Sequence, residues 1–268
     1  MKKLPISAMV VGYNEGVVLT ECLSSINFCD EIIYTDLGSK DNSLEIASLF
    51  ADKIFKRQRV PSGEYIQSEI VHYTKHEWVI FIDPDECLDE TLQIQLIKEF
   101  EEISGNRLIG AVKVPWQFYF KKHKLKGTIW GGHNEKYLLV NKKRFEFLPI
   151  THFGRRLREG FISHDIELNT SATNLLHHYW MNSYKIFFRK HMRYLKNEGK
   201  DNYNNGIRVS LKKVFTTPFK EFYQSYVIHK GYNDKLVGFF LSLFWSFYKT
   251  NIYIGVYKMQ LHKKTYPV

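Results

Sequence analysis

Glu77-Trp-Val-Ile-Phe-Ile-Asp-Pro-Asp-Glu86 decides how this chain is read. Five consecutive apolar residues, Trp78 to Ile82, show no polar alternation. Their length and β-branched and aromatic content predict a strand buried on both faces. The run stops abruptly at Asp83-Pro84-Asp85, which sets two carboxylates at the carboxyl end of that strand. Two carboxylates so placed suit a hard divalent cation such as Mg²⁺ or Mn²⁺. An acidic pair after a strand has ordinary uses as well, and Asp85 or Asp89 could instead cap the helix that follows.

Outward from this stretch, strands and helices alternate. Ile6 to Gly12 is a short apolar run bounded by Pro5 and by Gly12-Tyr-Asn, and predicts a buried strand. Val17 to Ile26 has helical period, with Val18, Cys22 and Ile26 on one face. Glu31 to Thr35 predicts a second strand, ending at Asp36-Leu-Gly38-Ser39. Asn42, with Glu45 three residues on, signals a helix start. A short strand at Lys53 to Phe55, a helix over Tyr65 to Thr74 and a long helix from Glu90 to Glu102 complete the pattern. Alternation of this kind implies βαβ units, hence an α/β, Rossmann-like, mostly parallel sheet flanked by helices. Ligands bind beyond the carboxyl ends of such strands. That edge would gather Asn14, Glu15, Asp36, Asp83 and Asp85.

After Val112 the pattern changes. Val114 to Phe120 and Lys136 to Val140 predict strands, and Gly127-Thr-Ile-Trp-Gly-Gly132 predicts a mobile loop. Ser183 to Lys196 predicts an aromatic, basic helix. Leu236 to Tyr257 is strongly apolar but interrupted by Lys249. No run reaches the roughly 18 uncharged apolar residues that mark a spanning helix. Charge divides in the same place. Of the 268 residues, carrying a net +10, the first 112 hold 10 Lys+Arg and 19 Asp+Glu, and the remainder 28 and 9. A second half at +19 suits an anionic partner, whether nucleic acid, anionic lipid or a phosphorylated glycan, or simply a solvated basic surface. The three cysteines, Cys22, Cys29 and Cys87, have neither CxxC nor Cys/His metal spacing, and their odd, sparse count suits a reducing compartment. The basic start runs into Asn14-Glu15 too soon for a signal h-region, so a cytoplasmic location is expected.

Three linked motifs carry a resemblance. They are Val10-Val-Gly-Tyr-Asn-Glu15, then Glu31-Ile-Ile-Tyr-Thr-Asp-Leu-Gly-Ser-Lys-Asp-Asn-Ser43, then Glu77 to Glu86. In order and spacing, through about Ile103, the chain resembles the family-2 glycosyltransferases, inverting enzymes with the A-type (GT-A) nucleotide-sugar fold. The resemblance implies that Asn14 and Glu15 lie beside the nucleoside, with Glu15 near the ribose. It implies that Asp36 and Asp41 face the nucleotide, Asp41 towards the base. Asp83 would contact the ribose or the metal, and Asp85 would ligate the metal, Mg²⁺ or Mn²⁺. The cation would bridge diphosphate oxygens and stabilise charge on the departing nucleoside diphosphate. From residue type alone, Asp36 also reads as a turn residue before Gly38 and Asn14 as a helix cap.

The second half resembles the lipooligosaccharide-type glucosyltransferase branch, through Trp130-Gly-Gly, Lys136 to Arg144, His152 and Leu175-Leu-His-His-Tyr. In that branch an acidic residue follows the His aligned with His152; here Phe153 stands there. Inverting transfer needs a general base, and the candidates are Glu159, Asp165 and His152. His177 and His178 are expected as packing or diphosphate contacts. Arg155, Arg156 and Arg158 would grip phosphate or form a solvated basic loop.

The expected organisation is a nucleotide-sugar donor half at 1–112, an acceptor-side half at 113–180, and a basic aromatic helical extension at 181–268. The expected activity is transfer of a sugar from a nucleotide-sugar, a UDP-hexose, to a glycan or lipid-linked acceptor in cell-surface polysaccharide or lipooligosaccharide synthesis. A sugar-phosphate nucleotidyltransferase is the alternative enzyme, but Gly12-Tyr-Asn-Glu-Gly16 lacks the glycine-rich, basic loop that chemistry uses. A nucleic-acid-binding module is the non-enzymatic alternative; no such motif is present, and no nucleic-acid partner is expected. The Leu236 to Tyr257 stretch would lie on the anionic inner membrane face, pack as a core helix, or form a homodimer contact.

Overall fold

The computed structural model describes residues 3–60, 62–132, 134–150, 154–181 and 183–265. The chain divides into two compact units. Residues 1–117 and 133–180 make the first, and 118–132 with 181–268 make the second.

In chain order the elements are β1 (Leu4–Gly12), α1 (Leu19–Ser25), β2 (Cys29–Asp36), α2 (Ser43–Ser48), β3 (Lys53–Lys56), α3 (Gly63–Ile70), β4 (Trp78–Ile82), β5 (Glu86–Leu88) and α4 (Glu90–Gly105). There follow β6 (Ile109–Phe120), β7 (His123–Lys124), β8 (Asn134–Asn141), β9 (Phe145–Phe147), β10 (Arg155–Leu157), β11 (Ile162–Asp165) and β12 (Leu176–Met181). Three long helices close the chain: α5 (Tyr184–Asn204), α6 (Leu211–Tyr223) and α7 (Lys235–Thr265).

The first unit is the α/β sheet expected from the alternation. Its order is β3-β2-β1-β4-β8-β6-β12-β5, with β11 beside β6. The strands from β3 to β4 are parallel, as is the β11–β6 pair, while β8 runs antiparallel to both its neighbours. β4 is buried throughout: Trp78, Ile80 and Ile82 enter the core under α1 and α4, and Val79 and Phe81 enter the core under α3. The parallel register sets Gly12 opposite Asp36 and Val10 opposite Ile82. The ends of β1, β2 and β4 therefore fall at one edge, as period-2 strands feeding short loops require.

At the other end Glu31 ties the sheet together. Its buried carboxylate accepts from Ser7 Oγ (2.5 Å), Lys53 Nζ (2.7 Å) and the Lys75 amide (2.7 Å). Burial raises the Glu31 pKa, but the Lys53, Ser7 and Lys75 bonds hold it below its usual value.

In the second unit α7 packs along α5 and α6. Leu241, Phe244, Tyr248, Ile252 and Val256 are buried at three- and four-residue spacing, a core-facing stripe. The core-helix reading of Leu236 to Tyr257 therefore holds for this face, while Leu236, Phe239, Leu243 and Phe247 stay exposed. Among the described residues no helix is long and apolar enough to cross a membrane. Gly127-Thr-Ile-Trp-Gly-Gly132 is not left to itself. The buried Asp234 carboxylate accepts from the amides of Lys126 (3.0 Å) and Gly127 (2.7 Å) and pairs with His123 Nε2 (2.9 Å).

Candidate active site

β4 delivers Asp83, and the two residues after it turn back into β5. Asp89 settles the question of the helix cap: its Oδ1 accepts from the Leu92 amide (2.8 Å) at the start of α4. Asp85 is not used for that. It is 8% exposed, and its backbone carbonyl accepts from the Tyr179 amide (2.8 Å), which ties it to β12. β5 and β12 pair antiparallel, setting His178 opposite Glu86. His178 Nε2 then lies 3.4 Å from Asp85 Oδ1. One ligand atom from each of Asp83, Asp85 and His178 falls within 4.8 Å of the others. The His178 ring lies flat against Trp116 of β6, 5.2 Å between centroids at 6°. This stacking fixes the plane in which its nitrogens point.

A buried lysine stands beside the three. Lys136 of β8 pairs with Glu86, whose side chain is fully buried, and lies 3.6 Å from Asp83 Oδ2. Its ammonium also faces the Trp116 and Phe81 rings, at 5.3 and 5.8 Å. Arg155 of β10 also faces the Phe81 ring, 4.8 Å from its centroid, with a Glu64 oxygen at 3.4 Å. Burial raises the Asp83 pKa, yet Lys136 and then Arg155 outweigh it and hold the carboxyl below the usual range. Three carboxylates here face one ammonium, since Arg155 is balanced by Glu64. The formal surplus is two negative charges, the charge a divalent cation would neutralise. Two carboxylates and one imidazole are also a donor set that such an ion accepts.

The other motif residues lie at the same edge of the sheet, turned towards their own loops. Asp36 is buried and accepts from the amides of Gly38 (3.0 Å) and Ser39 (3.1 Å), holding the turn in which Gly38 takes a φ of +85°. Asn14 Oδ1 accepts from the Lys40 amide (2.7 Å), and Asn14's own amide donates to Ser39 Oγ (2.9 Å). Asp41 accepts from the amides of Gly16 (3.0 Å) and Ser43 (3.1 Å). Burial raises its pKa, but the Ser43 hydroxyl (2.5 Å) and then these amides hold it low. The Glu15 amide donates to Ser43 Oγ (2.9 Å). A Cβ on Gly16 would stand 1.9 Å from Asn42 Oδ1, so the exposed Asn42 side chain would have to swing away. Together they lock the β1–α1 loop to the β2–α2 loop.

The expected bases are scattered. His152 lies outside the described residues. Glu159 is exposed in the turn after β10, where the Arg158 amide donates to the Arg144 carbonyl (3.0 Å). Arg144 follows Asn141, which is paired with Trp78 at the start of β4. That is the end of β4 away from Asp83, five strand residues off at ~3.3 Å each. The structure does not bring Glu159 to the acidic edge, because β10 carries it in the opposite sense. Asp165 ends β11 opposite Lys113, which is opposite Tyr137, next to Lys136. It is exposed, with Lys113 Nζ at 3.5 Å. His177, half-buried, lies 3.7 Å from Asp89. Arg156 pairs with Glu146 (2.5 Å).

The sequence profile of glycosyl transferase family 2 matches residues 7–215. The chain belongs to this family. Membership supports glycosyl transfer and decides against the nucleotidyltransferase and the nucleic-acid module. The chain is similar to the lipopolysaccharide core biosynthesis glycosyltransferase LpsC of Rhizobium meliloti (strain 1021), 29% identical over 115 residues, 40% of this chain and 42% of that protein. It is similar over more of its length to an uncharacterized glycosyltransferase of Rickettsia bellii (strain RML369-C), 25% identical over 251 residues, 90% and 82% of the two chains. Among solved structures, it is similar to glucosyl-3-phosphoglycerate synthase of Mycobacterium tuberculosis in complex with Mn²⁺, UDP and glucosyl-3-phosphoglycerate. There the identity is 22%, the TM-score 0.33 and the coverage 41% of this chain and 43% of that one. A mycobacterial protein gives 14% and a TM-score of 0.49, over 76% and 75%. The matched segments thus span less than half the length of LpsC and of the synthase.

Proposed function

We propose that this family-2 glycosyltransferase is a metal-dependent, inverting enzyme that moves a hexose from a UDP-sugar to a glycan or lipid-linked acceptor of cell-surface polysaccharide or lipooligosaccharide. The observation that carries the reading is the convergence of Asp83, Asp85 and His178 at the carboxyl end of β4, with a surplus of negative charge around them. Asp83, Asp85 and His178 would hold Mn²⁺ or Mg²⁺, which would neutralise charge on the diphosphate. The imidazole favours Mn²⁺ of the two, since Mg²⁺ prefers an all-oxygen shell. Lys136 holds the Asp83 carboxyl ionised against its burial and pairs with Glu86 beside it. Asn14, Glu15, Asp36 and Asp41 shape the loops that would cover the nucleoside, with Glu15 towards the ribose.

Inverting displacement requires a base on the face of the sugar opposite the leaving group. It takes the acceptor hydroxyl proton as the new O–C1 bond forms and the C1–O bond to phosphate breaks. Asp165 is the candidate that the strand register leaves on the acidic side of the sheet. Donor hydrolysis tests the reading, with water in place of the acceptor. With Mn²⁺ present, release of nucleotide from UDP-glucose is expected to exceed release from GDP-mannose. Asp165→Asn should keep UDP affinity and lose turnover. Faster release from the GDP-sugar would refute the choice of nucleotide, and a fully active Asp165→Asn enzyme would remove Asp165 as the base.

A further inference from the structure

The second unit is far from charge balance. Residues 118–132 and 181–268 contain 20 Lys+Arg and four Asp+Glu. Three of those acids are engaged within the unit. Glu198 accepts from Tyr248 Oη, Glu221 from the Trp245 indole (2.8 Å), and Asp234 from the amides of Lys126 and Gly127. The outward surface is therefore more basic than the formula suggests.

α6 adds an apolar stripe to that surface. Leu211, Phe215, Phe219 and Tyr223 recur every four residues and are 50%, 68%, 79% and 54% exposed. That spacing sets them in one row. Lys212, Lys213 and Lys220, all exposed, occupy the adjoining arc. The reverse face is the packed one: Thr217 is buried, the Pro218 carbonyl accepts from Ser246 Oγ (2.7 Å), and Glu221 holds Trp245 of α7. Beyond the helix, Val227 and Ile228 extend the row, 41% and 52% exposed. Two phenylalanines this open to water are uncommon on a protein surface unless something covers them.

We propose that α6 docks the chain on an anionic lipid bilayer. Phe215 and Phe219, with Leu211 and Tyr223, enter the boundary between headgroups and acyl chains, and Lys212, Lys213 and Lys220 meet lipid phosphates. Charge complementarity selects an anionic partner. The aliphatic members Leu211, Val227 and Ile228 select acyl chains over nucleobases, because they offer no face for stacking. We place the docking on α6, whose row has three adjoining lysines; α7 buries one stripe and leaves Leu236, Phe239, Leu243 and Phe247 exposed. The surface is independent of the transfer chemistry, and its failure would leave that reading intact.

The test is co-sedimentation of the full chain with phosphatidylcholine vesicles, with and without phosphatidylglycerol, at low salt. The wild type is expected to pellet only with the anionic vesicles. Phe215→Ser with Phe219→Ser should lower the partition coefficient about tenfold or more. Lys212→Gln and Lys220→Gln should each lower it about fivefold. Circular dichroism should be unchanged, since all four side chains face solvent. Wild-type protein that stays in the supernatant overturns the proposal. So does vesicle binding that survives the paired Phe substitution, which would make the lysines a general polyanion surface. Loss of a solution dimer in the Phe variant, without any vesicle effect, would assign the row to a second copy of the chain and overturn it as well.

Discussion

Asp85→Asn is expected to fold normally and to lose at least ~10²-fold in sugar-donor turnover. The carboxamide matches the carboxylate in size, and the backbone carbonyl of Asp85 that receives the Tyr179 amide is untouched. What disappears is one of the two carboxylates proposed to hold the ion, 3.4 Å from the imidazole of His178. A cation that stabilises a departing diphosphate contributes several kcal/mol to the transition state, and each 1.36 kcal/mol is a factor of ten in rate. Because the defect is in affinity for the ion, raising Mn²⁺ should restore part of the turnover. Turnover of UDP-glucose measured against Mn²⁺ concentration checks this. A folded Asp85→Asn enzyme with wild-type turnover at every Mn²⁺ concentration would remove the argument for a metal at this site.

Lys136→Met is expected to destabilise the first unit strongly. The Glu86 side chain is fully buried and Lys136 nearly so. Removing the ammonium leaves the buried Glu86 carboxylate without its lysine, with only the Asp83 amide (2.9 Å) and His178 at 3.9 Å beside it, a loss of about 3–5 kcal/mol. The loss is specific to breaking the pair. Lys136→Met combined with Glu86→Leu replaces both charges with apolar groups of similar size, and should recover most of the stability. It should not recover activity, because Lys136 also lies 3.6 Å from Asp83 and lowers its pKa against the effect of burial. Urea unfolding of the three variants, read beside donor turnover, separates the two roles. A single Lys136→Met variant that unfolds at the wild-type urea concentration would contradict the burial argument.

What the sequence made legible follows distance along the chain. β4 announces itself through five uninterrupted apolar residues, and the ends of β1, β2 and β4 must share an edge once the strands are parallel. Asp83 and Asp85 were therefore visible at once. His178 was visible only as a packing or diphosphate contact, because its place beside Asp85 depends on the three-residue β5–β12 pairing, across some ninety residues of chain. The Glu86–Lys136 pair is hidden for the same reason: no local pattern tells a buried lysine from a solvated one. Asn14, Asp36 and Asp41 were placed at the right edge. Whether their oxygens face a ligand or neighbouring amides depends on loop geometry, and residue type is silent on that. Glu159 lies at the other end of the sheet from Asp83, and its position was not legible because a turn two strands on can lie at either end. In the second unit, summed apolarity pointed to Leu236–Tyr257. Exposure depends on which face packs: α7 is half covered, and a second open row, Leu211, Phe215, Phe219 and Tyr223, stands on α6.

Asp83, Asp85 and His178 are proposed to form a metal-assisted nucleoside diphosphate site. Calorimetric titration of UDP into the intact chain, with Mn²⁺ and then with the metal chelated, tests it most directly. Saturable UDP binding is expected with Mn²⁺, weakened at least ~10-fold by chelation and by His178→Ala in a folded protein. UDP binding of equal affinity with and without the metal, or undiminished in His178→Ala, would contradict it.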